Sequence, residues 1–306
     1  MKSFVNYIWQ EAVGDIEDLF EIKANESQFK DLFSIDKLNK AECVLEKQRE
    51  ELKSVIEPAD FSHDFYNILP FKQSKKRPIA DKRVLYELFE TCQCLRDMLN
   101  ISESTNWDLR TSSESQYRSI GAYIQNLDAK NLDYANVKNN LLKSIDAEIN
   151  VLNIYEIVRP SESFNFMNSM DNIKQLYHGS KVNNFLGILT RGLMLPKHVI
   201  SEFGDIRSDI GMLGSGIYFS DSLATSLKYS KSSRAKNTRL VAVCDVALGN
   251  CKDYYDFDTT LSSAPDGYDS THGIKNSDSS PSKFIDSEYA VYDTKQYRIM
   301  TNSDTR

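Results

Sequence analysis

The chain has 306 residues, of which 41% are hydrophobic and 26% are charged, a balance typical of a globular protein. Its 37 basic and 44 acidic side chains give a net charge of −7, which argues against the broad basic surface of a direct nucleic-acid binder. The five cysteines show no paired spacing, which argues against disulfides and a zinc site and predicts a cytoplasmic or nuclear protein. No apolar run reaches about 18 residues, so no membrane span is predicted.

The first half of the chain carries helical patterns. Apolar residues between Tyr7 and Phe20 recur at the spacing of an amphipathic helix, and a later pattern stops at Pro70. Helices are predicted near residues 7–20, 34–52, 60–70, 81–99, 115–126 and 132–149. Residues 1–150 are therefore predicted to form an all-helical domain.

The periodicity changes near residue 150. The segment VLNIYEIVR, residues 151–159, is rich in β-branched and aromatic residues and ends at Pro160, which indicates a strand. Further strands are predicted at 175–178, 216–220, 240–248, 288–293 and 296–300, with helices at 183–191 and 222–229. The fold class is therefore α+β, with an all-helical domain over 1–150 and a mixed β-sheet domain over 151–306.

Three residues in the second half stand out by their surroundings. They are His178 in LYHGS, Tyr218 in GSGIYFSD and Glu288 in DSEYAVYD. Taken singly, these fragments fit a core histidine, a glycine turn into a buried strand, and an ordinary alternating strand. In this order they resemble the His-Tyr-Glu set of the poly(ADP-ribose) polymerase family, whose members cleave NAD and transfer its ADP-ribose.

The resemblance extends over nearly the whole chain. It is similar to the vault-associated branch of the family in GLMLPK (192–197), RSDIGMLGSGIYFSDSLATSLKYS (207–230), CDVALGNC (244–251) and APDGYDSTHG (264–273). It implies an ADP-ribosyltransferase catalytic domain over 151–306. It also implies that residues 1–150 are a helical regulatory domain that packs over the donor pocket, with Glu87 and Glu90 at the seam.

The chemistry of NAD cleavage explains these residue types. Breaking the bond to nicotinamide gives an oxocarbenium-like transition state, which a carboxylate such as Glu288 stabilises. The resemblance implies Glu288, His178 and Tyr218 as catalytic residues. It implies ribose contacts from His178, Ser180 and Asn184, amide contacts from Gly179 and Ser226, ring contacts from Tyr218 and Tyr229, and an adenine-end position for Asp205 and Arg207. NAD is then a co-substrate, and no metal is expected.

Two positions depart from the family pattern. Thr225 stands where the founding polymerase has a lysine, and Met194 stands where it has an arginine. Both positions border the donor pocket in the family, so both are candidates for a change in donor affinity.

The leading interpretation is a protein ADP-ribosyltransferase that forms polymer, because a carboxylate at Glu288 can also orient an incoming ribose hydroxyl. The alternatives are a single-transfer enzyme and a non-catalytic module that binds NAD or ADP-ribose within a larger particle. The expected partners are NAD, protein acceptors including the chain itself, and a vault-like particle, with no nucleic acid and no membrane.

Overall fold

The computed structural model describes residues 2–22, 29, 32–52, 59–104, 112–195, 211–234 and 236–299. The helices of the first half lie close to their predicted positions, and the hydroxyl of Ser34 caps α2 by accepting from the backbone N–H of Lys37 at 3.2 Å. Their bounds are α1 Lys2–Leu19, α2 Ile35–Glu51, α3 Ser62–Ile68, α4 Lys82–Ser104, α5 Ser113–Ile120 and α6 Leu132–Lys143. None of the described helices is long and apolar enough to cross a membrane.

The prediction of an all-helical first half is wrong at residues 121–126. Helix α5 ends at Gly121, whose φ of +69° is a left-handed conformation that glycine adopts without strain. Strand β1 (Tyr123–Asn126) follows and pairs antiparallel with β2 (Tyr155–Val158) in a two-stranded sheet. The strand predicted after residue 150 is thus confirmed, but its partner precedes the predicted boundary.

The second half contains a seven-stranded mixed sheet. Its strand order is β6-β7-β8-β4-β3-β5-β9; the pair β6–β7 is parallel and the other neighbours are antiparallel. The strands are β3 Ile173–Gly179, β4 Ile217–Ser220, β5 Val241–Ala247, β6 Cys251–Tyr254, β7 Ser270–Gly273, β8 Glu288–Val291 and β9 Tyr297–Ile299. The helices are α7 Pro160–Asn165, α8 Asn184–Arg191 and α9 Leu223–Tyr229.

The two halves share one hydrophobic core. Helix α8 packs against both α1 and α4, and its apolar side chains Phe185, Leu186 and Leu189 are buried. They belong to one continuous cluster that also contains the buried Trp9 of α1 and Leu95 of α4. Because this cluster spans the predicted boundary at residue 150, cutting the chain there would expose apolar surface on both sides.

Candidate active site

Strands β3, β4 and β8 lie side by side and bring the three singled-out residues together. Tyr177 pairs with Ser220, and Ser220 pairs in turn with Glu288. His178 follows Tyr177 at the end of β3, and Tyr218 lies on β4 two residues before Ser220. Residues far apart in sequence therefore meet at one region of the sheet.

The ring of His178 is held in one protonation state. Its Nδ1 lies 2.8 Å from the carbonyl oxygen of Tyr218. A carbonyl can only accept, so Nδ1 carries the proton and donates. Burial lowers the pKa of His178, which keeps the imidazole neutral. Its Nε2 is consequently an acceptor, suited to a ribose hydroxyl.

Tyr218 is fixed at both its hydroxyl and its ring. The hydroxyl donates to the carbonyl of Gly214 at 2.7 Å and accepts from the N–H of Leu213 at 2.8 Å. A Cβ at Gly211 would lie 1.9 Å from the ring, so only glycine fits against it. Burial, with a smaller contribution from Tyr292, raises the pKa of Tyr218 and keeps the phenol neutral. The ring is thus a rigid wall.

Gly179 and Ser226 form a close backbone contact. A Cβ at Gly179 would lie 1.8 Å from the carbonyl oxygen of Ser226, which no side chain permits. The hydroxyl of Ser226 donates to the carbonyl of Tyr177 at 3.1 Å. Because its proton is engaged there, this hydroxyl presents lone pairs and can accept from a carboxamide N–H.

The structure describes three more of the predicted donor-site residues, which are Ser180, Asn184 and Tyr229. Asn184, at the start of α8, donates from its side-chain nitrogen to the hydroxyl of Ser180 at 3.0 Å. Tyr229 ends α9 and is 58% exposed. Burial and the charge of Glu288 raise the pKa of Tyr229. Arg207 and Asp205 lie outside the described residues, so their predicted roles stay predictions.

Glu288 is a buried carboxylate with an unfavourable environment. It is 9% exposed, and no hydrogen bond joins its side chain to another residue of the described ranges. Burial raises the pKa of Glu288. The positive charge of Lys228 lowers this pKa, and the negative charge of Asp286 raises it further. Such a carboxylate gains from an approaching positive charge, which an oxocarbenium provides.

The sequence reasoning missed Asp286, which lies two residues before Glu288. Asp286 accepts from the hydroxyl of Thr225, and it also binds Lys228 at 3.2 Å and Lys275 at 3.4 Å. The available signal was a second carboxylate close in sequence to the predicted catalytic glutamate. The described part of the chain contains no group of three or more His, Cys, Asp or Glu side chains that could hold a metal ion.

Comparisons with known proteins agree with this geometry. The pattern of the poly(ADP-ribose) polymerase catalytic domain matches residues 131–303. The chain is 35% identical over 98% of its length to the protein mono-ADP-ribosyltransferase PARP4 of Mus musculus and to that of Homo sapiens. It is 25% identical over 73% of its length to poly [ADP-ribose] polymerase 2 of Homo sapiens.

The chain spans only part of these relatives. It covers 15% of the mouse protein, 17% of its human counterpart and 39% of the human polymerase 2. The family resemblance and the ADP-ribosyltransferase catalytic domain predicted from the motifs are confirmed.

Proposed function

The chain belongs to the poly(ADP-ribose) polymerase family, and on that premise we propose that it releases nicotinamide from NAD and transfers ADP-ribose to protein side chains. The observation that carries the proposal is the meeting of neutral His178, rigid Tyr218 and buried Glu288 on three neighbouring strands. A non-catalytic binding module would have no need of a buried carboxylate whose side chain forms no hydrogen bond to a described residue.

Each of these groups has a task in the proposed reaction. The Nε2 of His178 accepts a hydrogen bond from a ribose hydroxyl. Tyr218 and Tyr229 flank the nicotinamide ring. Ser226 and the backbone of Gly179 hold the carboxamide, and Ser180 with Asn184 lies beside the ribose. The bond from the anomeric carbon to the nicotinamide nitrogen breaks, and the electron pair leaves with nicotinamide.

Glu288 stabilises the positive charge that develops on the ribose. An acceptor nucleophile then bonds to the anomeric carbon and gives up its proton to the surrounding water or to a neighbouring base. NAD is consumed in this sequence as a co-substrate.

Two products are compatible with this site. Polymer formation is supported by Glu288, because a carboxylate there can also orient the hydroxyl of an attached ribose. Single transfer is supported by the names of the two 35% identical relatives, each a mono-ADP-ribosyltransferase. Since these relatives are similar over 98% of the chain, we take single transfer as the first candidate and polymer as the second.

The partners and the compartment belong to the same proposal. The acceptors are protein side chains, the chain's own among them, and the motif resemblance supports a vault-like particle as an assembly partner. A cytoplasmic or nuclear location is supported by the cysteines, which are unpaired in the described ranges.

The test incubates purified protein with NAD labelled on its adenylate. Released nicotinamide is measured by chromatography, and the protein is examined on a denaturing gel. One labelled band supports single transfer, and a ladder supports polymer. Glu288→Gln is the control for background hydrolysis. Wild-type protein that binds NAD yet releases no nicotinamide above this control would show a binding module instead.

A further inference from the structure

Asp286 connects three separate segments of the site. Its carboxylate accepts from the hydroxyl of Thr225, and Lys228 of the same helix binds the same oxygen at 3.2 Å. Lys275, which follows β7, binds the other oxygen at 3.4 Å. Helix α9, the segment after β7 and the segment that leads into β8 are thus joined at one partly buried carboxylate.

Thr225 and Lys228, the two residues of α9 that bind Asp286, are next to predicted donor-site residues in the sequence. Thr225 precedes Ser226, and Lys228 precedes Tyr229, so Asp286 binds the helix at two points adjacent to predicted donor contacts. Asp286 itself lies two residues before Glu288. A single carboxylate therefore links the helix that carries the predicted nicotinamide contacts to the segment that leads into the strand of Glu288.

We propose that Asp286 is a positioning residue, which through Thr225 and Lys228 holds α9 against the start of β8 and so sets the place and the charge of Glu288. Its effect on transfer rests on the function proposed above; its effect on Glu288 does not. Thr225 is the position where the family resemblance leads one to expect a lysine. Lys228, which lies about one helical turn further along α9, places a cation next to the site and is bound by Asp286.

The electrostatics of Glu288 support this assignment. Burial raises the pKa of Glu288, Lys228 lowers it, and Asp286 raises it. Removing Asp286 and removing Lys228 should therefore move the ionisation of Glu288 in opposite directions. Within the described part of the chain, the charged or titratable groups that face Glu288 or Asp286 are Tyr218 on β4, Lys228 and Tyr229 on α9, and Lys275 after β7.

The test is an NMR titration of the Glu288 carboxyl in the ¹³C-glutamate-labelled 306-residue chain, with the resonance assigned by its loss in Glu288→Gln. Asp286→Asn should lower the titration midpoint of Glu288, because a negative neighbour is removed. Lys228→Gln should raise it, because a positive neighbour is removed. The control is Lys283→Gln, which breaks an exposed pair with Asp256 at 2.7 Å. This control should leave the midpoint unchanged.

Salt gives a further check. The side chain of Lys228 is 57% exposed, so its effect on Glu288 should shrink in about 0.5 M salt, whereas that of the more buried Asp286 should persist. Midpoints equal to wild type in both variants, or displaced in the same direction, would overturn the proposal.

Kinetics then connect the midpoint to turnover. Thr225→Val should reduce kcat about two- to tenfold with little change in the KM for NAD, since one hydrogen bond that positions the catalytic group is lost. The acid limb of the rate should move to lower pH in Asp286→Asn and to higher pH in Lys228→Gln. A wild-type protein that releases no nicotinamide refutes the proposed function, while opposite NMR shifts still support the positioning role.

Discussion

Arg191 and Asp97 join the two halves of the molecule through a bidentate ion pair. The Nε of Arg191 lies 2.7 Å from Oδ1 of Asp97, and its Nη2 lies 2.9 Å from Oδ2. A Cβ at Gly187 would lie 2.1 Å from the same carboxylate, so α4 approaches α8 closely. Further pairs join Lys181 to Glu90, and Arg234 to Asp15 at 2.7 Å. The helical half is therefore attached next to the predicted donor pocket, one residue from Ser180.

Weakening this seam should increase basal activity if the helical half restrains the enzyme. Glu90→Gln combined with Asp15→Asn removes two of the pairs and leaves the shared core intact. We expect tighter NAD binding and faster nicotinamide release, because the cover over the pocket opens more often. Glu42→Gln is the control, since Glu42 pairs with Arg96 inside the helical half at 2.7 Å. Equal NAD affinity in all three proteins would assign the helices a purely structural role.

The seam contains both predicted acidic residues. Glu90 pairs with Lys181 of the catalytic half. Glu87 pairs with Arg77 within the helical half, and it lines the same cavity between the halves as Glu90 and Lys181. Expressing residues 151–306 alone is a poor test, because that fragment would lose the partner of β2 and part of the shared core.

Glu288→Gln should reduce nicotinamide release by about a hundredfold or more, because the amide lacks the charge that faces the oxocarbenium. Titration calorimetry should show NAD affinity close to wild type. Near wild-type turnover would refute the catalytic role.

The stability of this variant gives an independent check. Burial raises the pKa of Glu288, so the folded state binds the proton more tightly and the ionised form costs stability at neutral pH. Glu288→Gln should match or exceed wild type in free energy of unfolding at pH 7. The difference should vanish below the ordinary pKa of 4.5, where both side chains are neutral. A variant less stable than wild type at pH 7 would contradict this description of the site.

His178→Ala should weaken NAD binding about two- to tenfold, which corresponds to the loss of one hydrogen bond. The control is His63→Ala, an exposed histidine of α3. Since burial lowers the pKa of His178 below 6.5, NAD affinity should stay constant from pH 8 to 6.5 and fall only when Nε2 is protonated below that range. Calorimetry that finds unchanged affinity in the variant would refute the assignment.

The sequence predicts best those elements whose apolar residues recur at a regular spacing. The apolar residues of strand β5 alternate, and its predicted bounds lie within one residue of the observed ones. The apolar residues of α1 recur at helical spacing, and the helix is predicted correctly, although it begins at Lys2 rather than Tyr7. The sequence does not predict strands β6 and β7, because both are short and are held by their pairing with each other and, for β7, with β8. Strand β1 was assigned to a helix, because its local pattern did not reveal the pairing with β2.

The same distinction holds for the site. The predicted His-Tyr-Glu residues lie in recognisable strand motifs, and the structure places them together. Asp286 was missed, because its importance depends on Thr225, Lys228 and Lys275, which reach it only in the folded chain.

An aromatic amide such as benzamide should bind between Tyr218 and Tyr229. Tyr229→Ala should weaken benzamide about two- to tenfold, since stacking contributes roughly 0.5–1.5 kcal/mol beyond area burial. Tyr255→Ala, which removes another tyrosine more than half exposed, is the control.

Tyr218→Phe separates the ring from its hydroxyl. It keeps the aromatic face but leaves the N–H of Leu213 and the carbonyl of Gly214 without this partner. We expect a loss of about 1–3 kcal/mol in the free energy of unfolding, with benzamide affinity nearly unchanged where the protein is folded. Calorimetry and chemical denaturation measure the two quantities separately. If Tyr229→Ala binds benzamide as tightly as wild type, or if a co-crystal places benzamide elsewhere, the two tyrosines do not form the nicotinamide pocket.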